Sequence, residues 1–151
     1  MNRVSTSEQI FGEINQIAEQ PLGIIIFGLD CKCKYRVMRL CAEKIRRCIL
    51  CHSARGAHAI LKNGLNAAID VLGKESDTCE KRREVASNLK EYGAKTVVGI
   101  CIRDSDGDIG YRAAREEITE IRDASDKTSS SEYDGIDYLI VIDSKTTPTP
   151  Q

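Results

Sequence analysis

Three aspartates, Asp30, Asp104 and Asp143, each stand where an apolar run ends, and Asp106 and Asp108 follow closely on the second. Carboxylate oxygens grouped in this way suit a hard cation, and Mg²⁺ held by them supports phosphoryl chemistry. If the three runs are parallel strands, their ends share one sheet edge. Asp30, Asp104 and Asp106 then form a candidate Mg²⁺ site. The plainer explanation is that aspartate is common after strands, as a turn former and helix cap. The loop from Asp104 is not an EF-hand. Its sixth position is Ile109 where glycine is needed, and its twelfth is Arg115 where a bidentate glutamate is needed.

The seven cysteines are Cys31, Cys33, Cys41, Cys48, Cys51, Cys79 and Cys101. An odd number without a secretory signal argues against a disulfide framework. Cys48-Ile-Leu-Cys51-His52 has the spacing of a c-type haem attachment motif, but no export signal accompanies it. Zinc held by a subset of Cys31, Cys33, Cys48, Cys51 and His52 stays open, although the spacing matches no standard finger. The favoured reading is reduced cysteines buried as small hydrophobes. No G-x-S-x-G, P-loop or H-E-x-x-H occurs, and nothing supports a nucleophilic triad.

Charge is unevenly placed. The chain carries a formal −1, yet residues 31–62 hold nine bases (Lys32, Lys34, Arg36, Arg39, Lys44, Arg46, Arg47, Arg55 and Lys62) against Glu43 alone. Such a block attracts polyanions by releasing their counterions. The alternative is a solvated face neutralised by the acidic remainder.

These groups need a scaffold, and hydrophobic periodicity outlines one. Residues 8–20 read as a helix stopped by Pro21, and Leu22 to Leu29 as a strand buried on both faces. Tyr35 to Cys48 reads as a helix with Val37, Cys41, Ile45 and Cys48 on one face. Ile49 to His52 is either a short strand or that helix's last turn. Ala57 to Leu72 reads as a helix, as does the stretch from Ser76 or Asp77 to Tyr92, ended by Gly93. Val97 to Ile102 is a second buried strand, followed by a helix over Ile109 to Ala124. A polar loop over 125–135 leads to the last strand, Tyr138 to Ile142.

Strands alternating with helices predict an α/β fold: one three-layer domain over 1–143, with a small, mainly parallel sheet flanked by helices. Residues 31–76 read as a basic, cysteine-rich helical insertion, and 144–151 as a flexible tail. With 151 residues, 41% of them hydrophobic, the chain can build one real core. No apolar stretch is long enough to cross a membrane, and no signal core opens the sequence, so no membrane association and a cytoplasmic location are expected.

Asp104-Ser-Asp-Gly-Asp-Ile-Gly-Tyr-Arg-Ala-Ala-Arg115 resembles a pattern in the anticodon-binding domain of class II aminoacyl-tRNA synthetases, most nearly the glycyl type. There a strand ends in acidic residues, and a short loop and an Ile-Gly or Leu-Gly step lead into a helix bearing Arg or Lys. Glu84 to Gly93 resembles the preceding helix, and Tyr138 to Asp143 with Thr-Thr-Pro-Thr the following strand. The likeness covers about half of the chain and implies a non-catalytic RNA-binding module of the tRNA type, or an adaptor, with no cofactor. Arg103, Arg112 and Arg115 would face RNA, joined by Arg36, Arg39, Arg46 and Arg47 of the basic block. Arginine suits the task because its planar fork matches phosphate and stacks on bases. Aminoacylation is not expected, since no synthetase catalytic domain accompanies the likeness.

A strand ending in Asp-x-Asp before a glycine also resembles the Toprim domain of primases and topoisomerases. That likeness implies a Mg²⁺-dependent nucleic-acid enzyme using Asp30, Asp104 and Asp106. Phe27 stands where that family keeps a glutamate. A third reading is a structural subunit whose basic block meets an acidic protein partner.

Overall fold

The computed structural model describes residues 3–5, 7–28, 33–70, 78–104, 113–123 and 135–147. The elements, in chain order, are β1 (Arg3–Ser5), α1 (Ser7–Ile17), β2 (Leu22–Gly28), α2 (Cys33–Lys44), β3 (Cys48–Cys51) and α3 (Ala54–Lys62). They continue with β4 (Asn66–Asp70), α4 (Cys79–Glu91), β5 (Thr96–Asp104), β6 (Ala113–Asp123) and β7 (Tyr138–Thr147). All seven strands join one sheet in the order β1-β6-β7-β5-β2-β4-β3. The five from β7 to β3 are parallel to one another, and β6 lies antiparallel to both β7 and β1. The expected α/β class with a mainly parallel sheet is what the chain adopts.

The middle of the sheet follows from composition. β2 and β5 are short unbroken runs of β-branched and apolar residues, which suits strands covered on both faces. They pair in register from Leu22↔Thr96 to Gly28↔Ile102. Side chains alternate between two layers, as strand geometry requires. Ile24, Ile26, Val98, Ile100 and Ile140 pack with Ile10, Phe11 and Ile14 of α1 and Val37, Leu40 and Cys41 of α2. Ile25, Phe27, Val97, Leu139 and Val141 pack on the other face with Ala57 and Leu61 of α3 and Val85, Ala86 and Leu89 of α4. The result is helix, sheet, helix, with α1 and α2 on one face and α3 and α4 on the other.

Three local expectations are corrected. The helix expected over Ala57 to Leu72 ends at Lys62; Asn63 caps it and Gly64, at φ 77°, reverses the chain into β4. The 3.6-residue register of Leu61, Leu65, Ala68 and Ile69 was coincidental. An Asn-Gly turn overrode it, and Ala67, Ala68 and Ile69 are buried as a strand. α2 stops at Lys44 rather than Cys48, and of the two readings for Ile49 to His52 the strand holds, as β3 over Cys48–Cys51. Residues 31–76 are therefore no insertion: they contribute β3 and β4 to the sheet, which explains why the chain between β2 and β5 is so long.

The largest correction concerns the helix expected from Ile109 to Ala124. Residues Ala113–Asp123 form β6, paired antiparallel with β7 from Ala113↔Thr147 to Asp123↔Tyr138, with an irregularity at Glu116/Ile118. β7 otherwise offers one edge of unpaired backbone donors and acceptors next to the parallel core. Filling that edge outweighs the helical propensity of an Ala-, Arg- and Glu-rich segment. β7 itself runs to Thr147, so strand structure extends into the segment expected to be a tail. Of the polar loop expected over 125–135, residues 125–134 lie outside the described residues.

Candidate nucleic-acid interface

The basic block lies on the side of the sheet that ends in β3. Arg36 and Arg39 sit on α2, Lys44 at its end, Arg46 and Arg47 in the turn to β3, and Arg55 and Lys62 on α3; all seven are exposed. α2 buries Val37, Leu40 and Cys41 against the sheet, so its charged positions necessarily face solvent. Between Lys44 and Ile69 the chain contains no acidic residue.

Two asparagines hold the turn from Lys44 to Arg47. Asn15 of α1 donates its amide to the carbonyl of Lys44 (2.8 Å) and accepts the backbone N–H of Arg46 (3.0 Å). Asn66, the first residue of β4 and only 1% exposed, donates its amide to the carbonyl of Arg46 and accepts the backbone N–H of Leu22 (2.7 Å). The N–H of Asn66 also donates to the carbonyl of Arg47 (2.9 Å). The starts of β2, β3 and β4 are thereby tied together. Arg47 adopts φ 52°, a left-handed conformation uncommon for a residue with a side chain. Its neighbours' hydrogen bonds hold it there. The two guanidinium groups thus leave a backbone whose geometry is already fixed, and less ordering is needed when an anion docks.

Two lysines outside the block are ion-paired. Lys90 pairs with Asp137 at 3.3 Å and Lys95 with Glu19 at 3.4 Å. Asp137 also accepts the backbone N–H of Val97 at 2.9 Å, so it is a structural carboxylate that starts β5 and β7 in register.

Those of the other sequence candidates that are described lie along the opposite, carboxyl edge. Asp104 closes β5 opposite Ser144, and Asp143 pairs with Arg103 one register back. Arg115 lies on β6 opposite Lys145, so the helix that was to stack it on residue 112 does not exist. The expected row of helix-borne arginines is thus withdrawn. Asp30, Asp106, Asp108 and Arg112 lie outside the described residues. Among the described residues no three His, Cys, Asp or Glu side chains are grouped to hold a metal ion.

This edge nonetheless has a switch point. β2 leads to α2 on one face of the sheet and its neighbour β4 leads to α4 on the other. Gly28, at φ 105°, lies so close to β5 that a Cβ there would overlap the carbonyl oxygen of Ile102. Beneath it, the Arg82 guanidinium lies 4.6 Å from the centre of the Phe27 ring and is 7% exposed. A cation over a ring face is electrostatically favourable.

Cys41, Cys51 and Cys101 are buried and Cys48 is half-buried. Cys48 packs on the α1/α2 face and Cys51 on the α3/α4 face, as residues three apart on a strand must. The C-x-x-C pair therefore does not chelate one ion, and the haem and zinc readings lose their central pair. Cys31 lies outside the described residues. Cys41, Cys48 and Cys51 are free thiols. Burial, then the nearby Cys51, pushes the Cys48 thiol up to about 12. Burial, then Cys48, raises Cys41, and burial raises Cys51 despite the backbone hydrogen bond at Ser53. Thiols held protonated are poor nucleophiles and poor ligands.

Sequence reasoning found the basic residues but missed Asn15, Asn66 and Arg82. Asn66 could have been found only by asking why an asparagine stands in the apolar register of 65–69. No helix among the described residues is long and apolar enough to cross a membrane. No protein-family model, no curated protein and no solved structure matches the chain.

Proposed function

We propose that this chain is a non-catalytic RNA-binding module of the tRNA type, acting as an adaptor, whose contact surface is α2 with the turn into β3. The observation that carries the reading is the turn itself. Arg46 and Arg47 project from a backbone locked by Asn15 and Asn66, near the start of a stretch, 44–69, without acids. Arg36 and Arg39 extend the surface along the exposed side of α2. The tRNA type follows the resemblance to anticodon-binding domains, while the contact residues come from the basic block rather than from Arg103, Arg112 and Arg115.

The test is a fluorescence-anisotropy titration of the protein with bulk tRNA at several salt concentrations, with and without Mg²⁺. Binding that weakens steeply with salt, needs no Mg²⁺ and drops on Arg46→Glu with Arg47→Glu is the expected result. Binding that those substitutions leave unchanged, or that is insensitive to salt in the parent chain, would remove the reading. Mg²⁺-dependent cleavage of the RNA, abolished by Asp104→Asn, would replace it with the nucleic-acid enzyme.

A further inference from the structure

β3 is the last strand of the sheet. Among the described residues it pairs with β4 alone, from Cys48↔Asn66 to Cys51↔Ile69. Alternate residues of any strand direct both N–H and C=O to the same side. Half of its four residues therefore offer their backbone groups outward. An open edge of this kind is a template for another extended chain, and proteins usually blunt it with charge, brevity or cover. β3 has brevity and charge. Arg46 and Arg47 precede it, and Arg55 follows in the first turn of α3, all exposed. The N-terminus of the nine-residue helix α3, capped by Ser53, adds partial positive charge at the same end. At the centre of the strand Ile49 is 43% exposed, one of three large apolar residues so placed among those described.

These features select an occupant. A second copy pairing through β3 would set the same cations of two chains against each other, because both ends of the strand are basic and no acid lies between Lys44 and Ile69. An acidic strand meets the opposite situation. We infer that the open edge of β3 binds a short extended segment of a protein partner, acidic at both ends and apolar or β-branched between them. That segment adds one strand to the sheet and packs a side chain on Ile49. β3 spans about 13 Å at roughly 3.3 Å per residue, so the two acidic ends stand about four to six residues apart. Main-chain hydrogen bonds supply affinity, and the flanking charges supply orientation and selectivity. The inference does not rest on RNA contact; Arg46 and Arg47 border both surfaces, so the peptide and RNA would compete for them.

The probe is a blocked peptide, acetyl-Glu-Thr-Val-Thr-Val-Glu-amide, titrated into the isotope-labelled full chain by NMR with amide exchange. Three controls accompany it: a lysine-ended peptide, a peptide N-methylated at alternate backbone positions, and tRNA. The expected result is chemical-shift change and slowed exchange confined to residues 47–52. The charge-reversed peptide should bind at least about tenfold more weakly, as should the Arg47→Glu and Arg55→Glu variants. The N-methylated peptide keeps every charge but cannot complete the ladder, so its binding should be lost. Both substitutions lie on exposed side chains, and unchanged spectra elsewhere show that the variants fold. Equal binding by the N-methylated peptide overturns the inference, since charge alone would then suffice. Absence of binding overturns it as well. So does protection that grows with protein concentration without peptide, which assigns the edge to a second copy. Protection of the same amides by tRNA but not by the peptide assigns it to RNA.

Discussion

At the residue scale, Asn66 has the widest reach. One buried side chain serves the N–H of Leu22 and the carbonyl of Arg46, and its own N–H serves Arg47, so three strand starts depend on it. Asn66→Ala leaves two backbone groups without these partners, at a cost of about 2–3 kcal/mol. Urea denaturation should show the midpoint falling with little change in slope, and RNA affinity should fall as the turn loosens. Cys48 gives a second prediction at this scale. Its thiol is raised from 9.0 to about 12 in the folded chain. The unfolded chain therefore loses this proton first as pH rises. The stabilisation is intact below pH 9 and is lost as pH climbs through the folded value, with a slope of at most about 1.4 kcal/mol per pH unit. Cys48→Ala should accordingly show a shallower loss of stability between pH 9 and 12 than the parent chain. Neither role was legible in the sequence, because a polar side chain in an apolar register and a buried thiol take their meaning from what packs against them.

At the element scale, legibility followed the strength of the local signal. β2 and β5 were visible because continuous β-branched runs cannot hide on one helix face, and α4 was visible because Gly93 stops it. The helix expected over 57–72 failed at Asn63-Gly64, a turn signal present in the sequence and outvoted by periodicity. β6 failed differently: Ala113 to Asp123 reads as helix by composition and becomes strand because β7 has a free edge. That makes its state a sensitive point. Backbone carbon chemical shifts for residues 113–123 should lie on the strand side of random coil. Leu139→Pro, opposite Arg122 in the register, should remove core packing and the β6 pairing together and destabilise the chain by more than about 3 kcal/mol in denaturant. Helical shifts over 113–123 would restore the arginine-bearing helix and with it the original RNA-facing row. A milder probe is Gly28→Ala. It requires a side chain at φ 105° and a clash with the Ile102 carbonyl, and should cost about 1–3 kcal/mol while parting the ends of β2 and β5.

At the scale of the whole molecule, the parallel core was foreseeable but the strand order was not. The sequence cannot tell that the segment between β2 and β5 returns twice to the sheet, putting the basic block along the β3 side. That placement makes net charge a poor guide. A chain of −1 overall carries five exposed cations, Arg36, Arg39, Lys44, Arg46 and Arg47, on α2 and the turn after it. If these five residues each neutralise one RNA phosphate, the logarithm of the binding constant should fall with the logarithm of salt with a slope of about 3.5 to 4.5, at roughly 0.7 to 0.9 per phosphate. Arg46→Ala with Arg47→Ala should lower that slope by about 1.4 to 1.8 and weaken binding uniformly across RNA sequences. Lys90→Ala should leave the slope unchanged, because Lys90 already faces Asp137 at 3.3 Å. The two variants separate a directed interface from a general attraction to cations. If Lys90→Ala lowered the slope as much per charge as the arginine pair does, RNA would be sampling the whole surface, and the locked turn would be a structural feature without a binding role.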